Sequence, residues 1–200
     1  FVLACINSEN TRQIIYELDP RTFDIVGTYK FRDANVLAHM NTLTYNPDTN
    51  LLYTTNAMID GHRITTIDAD TMSIGNTITI PERVFNLAYD KKTNQFISIV
   101  PINATMRRIN YYTSQFQLIK SKDIDANHDD FNNNGAFAND GNIIFATLST
   151  VVTVDKTGQV VKISSFPKNL EIEDMDMRNH MMYAAVNRGH TVAIYSMLNY

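Results

Sequence analysis

Residues Thr44 to Tyr53 read T-Y-N-P-D-T-N-L-L-Y. The segment is a short alternating strand, a tight turn and a second apolar strand. Asn and Asp tolerate left-handed backbone and bond neighbouring amides, and Pro presets its own φ, so N-P-D-T-N is turn chemistry. The pattern recurs as A-Y-D-K-K-T-N-Q-F at Ala88–Phe96, as A-N-D-G-N-I-I-F at Ala138–Phe145 and as M-R-N-H-M-M-Y at Met177–Tyr183. A turn-bracketed unit repeating about every 45 residues, with room for four strands, predicts the blade of a β-propeller.

Working outward from these hairpins, blades are expected over 1–31, 42–80, 85–120, 135–164 and 171–197. Their innermost strands are expected at Thr42–Tyr45, Phe85–Tyr89, Gly135–Ala138 and Glu171–Met177. The turns between third and fourth strands start at Asp19, Asp68, Tyr112 and Asp155. Most strands alternate and are rich in Ile, Val, Tyr, Phe and Thr, as half-buried strands are. The expected fold is therefore all-β: a five-bladed β-propeller of four-stranded antiparallel blades. The first blade lacks its inner strand and the last its outer one. The chain reads as one domain over 1–200, cut from a longer protein.

Composition narrows the function classes. The chain is 44% hydrophobic and 19% charged, the balance of a packed globular domain. A net charge of −4 argues against a nucleic-acid partner, which needs a basic footprint. No apolar run reaches the roughly 20 residues that span a bilayer, so membrane insertion is not expected. Cys5 is the only cysteine, which rules out an internal disulfide, and F-V-L-A-C-I reads as buried strand. Glycine is scarce (7) and asparagine abundant (22), so asparagine takes over much of the turn work.

The chemistry is sought where the inner strands begin. Aligning the repeats on Tyr45, Tyr89, Ala138 and Met177 stacks His39, Arg83, Asn132 and Glu171 in one column. Two residues on, the column is Asn41, Phe85, Asn134 and Glu173; the next is Thr42, Asn86, Gly135 and Asp174. One end of the channel should carry a mixed polar ring. The candidate ligand-binding residues are His39, Asn41, Arg83, Asn134, Glu171 and Glu173. Concave polar mouths of this kind are default ligand sites, although a mouth is also polar simply because it is wet.

A hydrolytic reading needs more. Glycosidases set two carboxylates across the scissile bond, roughly 5–9 Å apart. The run Glu171-Ile172-Glu173-Asp174 offers one partner, but the matching columns hold no second acid, which would have to come from the 122–130 loop. Asp123-x-Asp125-x-Asn127-x-Asp129 resembles half of a calcium loop, but His128 and Asn134 stand where the glycine and the twelfth-position glutamate belong. The five histidines lack metal spacing. No phosphate loop, nucleophile elbow or C-x-x-C is present. No catalytic residue, metal ligand or cofactor is assigned. Met175, Met177, Met181 and Met182 read as core filling.

The quoted motifs resemble a known family. H-M-N-T-L-T-Y-N-P-D-T-N-L-L-Y (His39–Tyr53) is similar to its H-x-N-x-x-x-Y-N-x-x-T-N-x-x-Y strand pair, and L-A-Y-D-K-K-T-N-Q-F (Leu87–Phe96) to the copy in the next blade. N-N-N-G-A-F-A-N-D-G-N-I-I-F and E-I-E-D-M-D-M resemble its later inner strands. This is the five-bladed propeller of receptor-binding tail proteins of phages of Gram-positive bacteria, of a teichoic-acid-associated protein and of helveticin-type bacteriocins. The resemblance implies a virion (tail) or extracellular setting, a homotrimer in the phage case, and recognition of cell-wall polysaccharide or teichoic acid without catalysis. The alternatives kept beside it are a glycan-cleaving hydrolase and a propeller that is purely scaffold.

Overall fold

The computed structural model describes the chain apart from residues 1, 9–11, 32–36, 38, 57–60, 127–133, 140, 168, 179–180, 189–190 and 199–200, and describes backbone alone at 2–8, 12, 134, 139, 178 and 197–198. Two compact units result, Phe1–Val84 and Phe85–Tyr200.

In the first unit, β1 (Val2–Ser8), β2 (Arg12–Leu18) and β3 (Ile25–Phe31) form one sheet. A second sheet holds β4 (Leu43–Asn46), β5 (Leu51–Thr55), β6 (Arg63–Asp68) and β7 (Ile74–Thr79). In the second unit, β8 (Ala88–Asp90), β9 (Gln95–Pro101), β10 (Met106–Thr113) and β11 (Leu118–Asp125) make the third sheet. The fourth holds β12 (Asn134–Asn139), β13 (Asn142–Thr147), β14 (Thr150–Val154) and β15 (Val160–Ser165). The fifth holds β16 (Glu171–Arg178), β17 (Met181–Arg188) and β18 (Thr191–Leu198). Every sheet is an antiparallel meander in chain order.

The expected count of five blades needs correction. Among the described residues three sheets carry the four strands of a complete blade, and the first and fifth carry three, so the terminal sheets are incomplete as expected but the full count of five is not reached. Among the described residues no strand lies on the free side of β1 or of β18.

The turns form for the reasons their residues suggest. After β4, the Asp48 amide donates to Asn46 Oδ1 at 2.9 Å, and the Tyr45 hydroxyl donates to Asn50 Oδ1 at 2.9 Å. The hairpin after β8 repeats this with Lys92 on Asp90 (3.0 Å) and Tyr89 on Asn94 (2.9 Å). Asn50 (φ 56°) and Asn94 (φ 54°) close these loops in the left-handed region that Asn tolerates. In the turns between third and fourth strands, the Asp19, Asp68 and Asp155 carboxylates accept backbone amides. The fourth such turn starts one residue later than expected. The Thr113 hydroxyl accepts the Gln115 and Gln117 amides, while Tyr112 is buried at the end of β10. A Thr Oγ can cap this turn; a tyrosine ring cannot fold back onto its own backbone.

Burial follows the sheets. In the first unit Ile15, Leu37, Met40, Leu52, Ile67 and Met72 pack together. In the second, the fourth sheet is covered on both faces. Ala136, Ile143, Phe145, Val152 and Val154 meet the third sheet through Ile97, Ile99 and Ile109. Phe137, Ile144, Ala146 and Val151 meet the fifth through Ile172, Met175, Met182 and Ala184. A strand buried on both faces loses its polar alternation, which is why Asn142–Thr147 reads as a near-continuous apolar run. Met175 and Met182 are core filling, as their pattern suggested.

Candidate functional site

The strands that begin the last four sheets are β4, β8, β12 and β16. The alignment residues Tyr45, Tyr89, Ala138 and Met177 pair with Leu52, Phe96, Ile143 and Met182. Each of these pairs lies one step from its hairpin turn, so the columns drawn from the sequence are structurally in register.

In all four strands the ladder is interrupted near the start. The Asn41 amide donates to Thr55 O at 3.1 Å, one residue out of step with the Leu43–Thr54 pair, so Thr42 is extra. Beyond β8, the Ile99 amide is taken by the Asn86 side chain, at 2.9 Å to Oδ1. In β12 the register shifts between Asn134 and Ala136, which makes Gly135 the bulged residue. In β16 it shifts between Ile172 and Asp174, which makes Glu173 the bulged residue. A bulge kinks its strand and re-aims a side chain, and bulges are over-represented beside binding sites.

The predicted residues fall at this end of their sheets. In the first unit, Asn41 lies beside Thr55, at the end of the second sheet that carries the β5–β6 loop. Arg83 reaches the same loop: its Nε would stand 3.1 Å from a Cβ on Gly61, and the Val84 amide donates to Gly61 O at 2.6 Å. His39 is half-buried there, and desolvation lowers its pKa. Asn41 Oδ1 and Thr54 Oγ1 are buried without a hydrogen-bond partner among the described residues.

In the second unit, Asn134 pairs with Ala146 at the end of β13, and only its backbone is described. Glu171 pairs with Asn187. Glu173 is exposed at its bulge, where Asn187 Nδ2 donates to its Oε1 at 3.4 Å. Lost hydration and then the neighbouring Glu171 charge push the Glu173 carboxyl above its usual range, and the Asn187 bond opposes them. Asp176 also reaches solvent, yet desolvation raises its carboxyl too. Asn86 is fully buried, and its Nδ2 has no partner among the described residues.

Three of these residues were not singled out by sequence. Asn187 carries no motif, since only the register of β16 against β17 places it beside the carboxylate run, and Asp176 lay in the quoted E-I-E-D-M-D-M stretch without being assigned a role. Asn86 stood in the third column, but that its amide replaces a ladder bond is a matter of backbone path.

The acidic segment is placed differently from the expected loop. Asp123 and Asp125 lie on β11, the outermost strand of the third sheet. Asp123 is held by Arg108 across the strand pair, at 2.7 and 2.9 Å. They are therefore strand residues and not loop acids free to face Glu173. Asp129 and Asp130, like Asn132, lie outside the described residues. Among the described residues no three His, Cys, Asp or Glu side chains come together as metal ligands.

No protein-family model matches the chain, and no curated protein does. Solved structures do match. The RRP9 WD40 repeats align at a TM-score of 0.51 and 13% identity over 80% of this chain and 51% of that one. The hydrazine synthase of Kuenenia stuttgartiensis aligns at 0.51 and 14% over 87% of this chain and 49% of that one. A protein of unknown function from Bacteroides caccae aligns at 0.53 and 10% over 98% and 72%. The chain thus spans about half the length of the first two. The tail-protein resemblance rests on the motifs quoted above and on none of these likenesses. What the likenesses show is the fold, an all-β propeller built of four-stranded antiparallel sheets with WD40-like neighbours.

Proposed function

We propose that this propeller is a non-enzymatic recognition domain that binds a cell-wall glycopolymer of a Gram-positive host, as part of a phage tail receptor-binding protein. The observation that carries the binding role is the repeated break in the ladder at the start of β4, β8, β12 and β16. At the break in β16 the Glu173 carboxylate stays exposed, with only a 3.4 Å bond from Asn187, which leaves acceptor capacity for a ligand. Hydroxyls of a sugar can fill it, since each both donates and accepts. The contacts are assigned to His39, Asn41, Arg83, Asn134, Glu171 and Glu173. Between the two polymers that the resemblance implies, the carboxylates of β16 favour a neutral polysaccharide, because they repel the phosphates of a teichoic acid.

Hydrolysis is the weaker reading. A raised carboxyl such as Glu173 suits a general acid, but the reaction needs a second carboxylate across the bond. Of the described candidates, Asp123 is held by Arg108, and Asp125 lies with it on the outer strand β11.

The test is retention on purified wall polysaccharide and, separately, on teichoic acid, with reducing ends assayed in the supernatant. Retention without sugar release, weakened by Glu173→Ala or Asn41→Ala, is the expected result. Release of reducing ends makes the protein a hydrolase. Absence of retention on either polymer removes the proposal.

A further inference from the structure

The outer strands β3, β7, β11 and β15 share an irregularity. Just after the turn that leads into it, each holds one residue more than the strand it pairs with. The extra residue is Val26 in β3, Ile119 in β11 and Val161 in β15, while in β7 the register slips at Gly75–Asn76. A bulged residue leaves the ladder, and its side chain is re-aimed. Glycine and asparagine suit such a place in solvent, whereas a β-branched aliphatic gains nothing there. Yet Val26, Ile119 and Val161 are 56%, 47% and 58% exposed.

In the second unit each bulged aliphatic is followed at once by a lysine, as Ile119-Lys120 and Val161-Lys162. The third and fourth sheets pack together, and the Lys122 ammonium of β11 donates to the Thr157 carbonyl in the turn before β15. Leu118 and Ile163 add exposed apolar surface on the same two strands. Those strands and that turn hold four lysines and three aspartates. Asp123 is paired with Arg108, and the Asp155 carboxylate accepts amides of its own turn. This edge is therefore basic in a chain of net charge −4.

We infer that this edge of the second unit is a docking surface for an anionic lipid bilayer, on which the protein lies without crossing it. Charge selects the occupant. Lysine is depleted from protein interfaces. Beside anionic headgroups it is favourable, by about fivefold in affinity for each residue. A bulged aliphatic next to a lysine lets the apolar group enter the acyl boundary while the ammonium stays at headgroup level. None of the residues assigned to the glycopolymer takes part, so the two readings stand or fall separately.

The experiment is co-sedimentation with vesicles of phosphatidylcholine alone, and of phosphatidylcholine and phosphatidylglycerol in equal parts, at low and high salt. Sedimentation with the anionic vesicles alone, falling as salt rises, is the expected result. Ile119→Thr with Val161→Thr keeps the charge and the β-branching, and should weaken binding about tenfold by removing apolar surface. Lys120→Gln with Lys162→Gln should weaken it about fivefold for each lysine. All four side chains are exposed, so circular dichroism and the melting temperature should stay at the unmodified values. Lys122 is left in place because it ties the two sheets. No sedimentation, equal sedimentation with both vesicles, or anionic binding that the threonine pair leaves intact overturns the inference. In the last case, release from the vesicles by inorganic polyphosphate identifies a polyanion site instead.

Discussion

Gly135 and Asp174 are too close for any side chain at position 135. A Cβ built there would stand 2.5 Å from the Asp174 Cα and 2.7 Å from the Met175 amide nitrogen. Both neighbours are backbone, so neither can swing away. The two bulged strand starts are thus pressed together, and Gly135 sits at φ +20° to allow it. Gly135→Ala is expected to destabilise the protein by about 1–3 kcal/mol, the usual cost of forcing atoms into a packed site. Urea denaturation measures it, and an unchanged midpoint would show that the two strands do not meet this closely.

Arg107 is fully buried, and its Nη1 donates to the carbonyls of Asn103, Ala104 and Met106. One guanidinium therefore ties down the β9–β10 loop. Arg107→Ala removes the bonds to the Asn103 and Ala104 carbonyls, while the Met106 carbonyl keeps the Ile102 amide, and should cost about 1.5–3 kcal/mol, the worth of hydrogen bonding from a charged donor. Arg107→Lys should recover only part of this, because an ammonium lacks the planar fork. Equal melting temperatures for the two variants would mean that water reaches the carbonyls instead.

The Glu173 carboxyl is raised in the folded state, chiefly by lost hydration. The folded protein therefore disfavours the charged form. Its contribution to stability is fully present below the unfolded glutamate pKa of about 4.3 and is lost as pH rises through the higher folded value. Glu173→Gln should be the more stable protein at neutral pH, with the gap closing in acid. Melting curves across the acid range test this, and a gap that grows on acidification refutes it. Binding of a neutral polysaccharide, if it uses the carboxylate as acceptor, should weaken over the same interval.

Asp155 has the opposite sign. The Thr157 hydroxyl, then the Gln159 amide, hold its carboxyl below the ordinary range. That stability is present above the unfolded aspartate pKa of about 3.9 and is lost as pH falls through the depressed folded value. Asp155→Ala should therefore lower the melting temperature at neutral pH and converge with the unmodified protein in strong acid. Asp68, held by the Thr71 amide and hydroxyl, should behave in the same way.

The strands were legible because turn chemistry is local. Asp19, Asp68 and Asp155 mark their turns by side-chain type, and Asn50 and Asn94 mark theirs by tolerance of positive φ. Thr113 was misplaced by one residue because Tyr112 and Thr113 both suit a strand end, and only burial separates them. That the first and last sheets are one strand short was legible from their turns; the error lay in counting both as blades of a five-bladed propeller. The bulges at Gly135 and Glu173 were hidden. A bulge is a relation between two strands, and the sequence of one strand does not announce which residue its partner skips. Asp123 and Asp125 were read as loop acids because alternating acids mimic an ion-binding turn; pairing with Arg108 and Met106 of β10 made them part of a strand.

In each sheet, every strand bonds only to strands adjacent to it in the chain. Loop-closure entropy grows with the length of chain enclosed, and these hairpins enclose little. Chains with mostly local partners also fold faster than those that must wait for distant ones. A ribosome extruding this protein therefore releases finished hairpins one after another, and within the second unit the fourth and fifth sheets each find the previous one already formed to pack against.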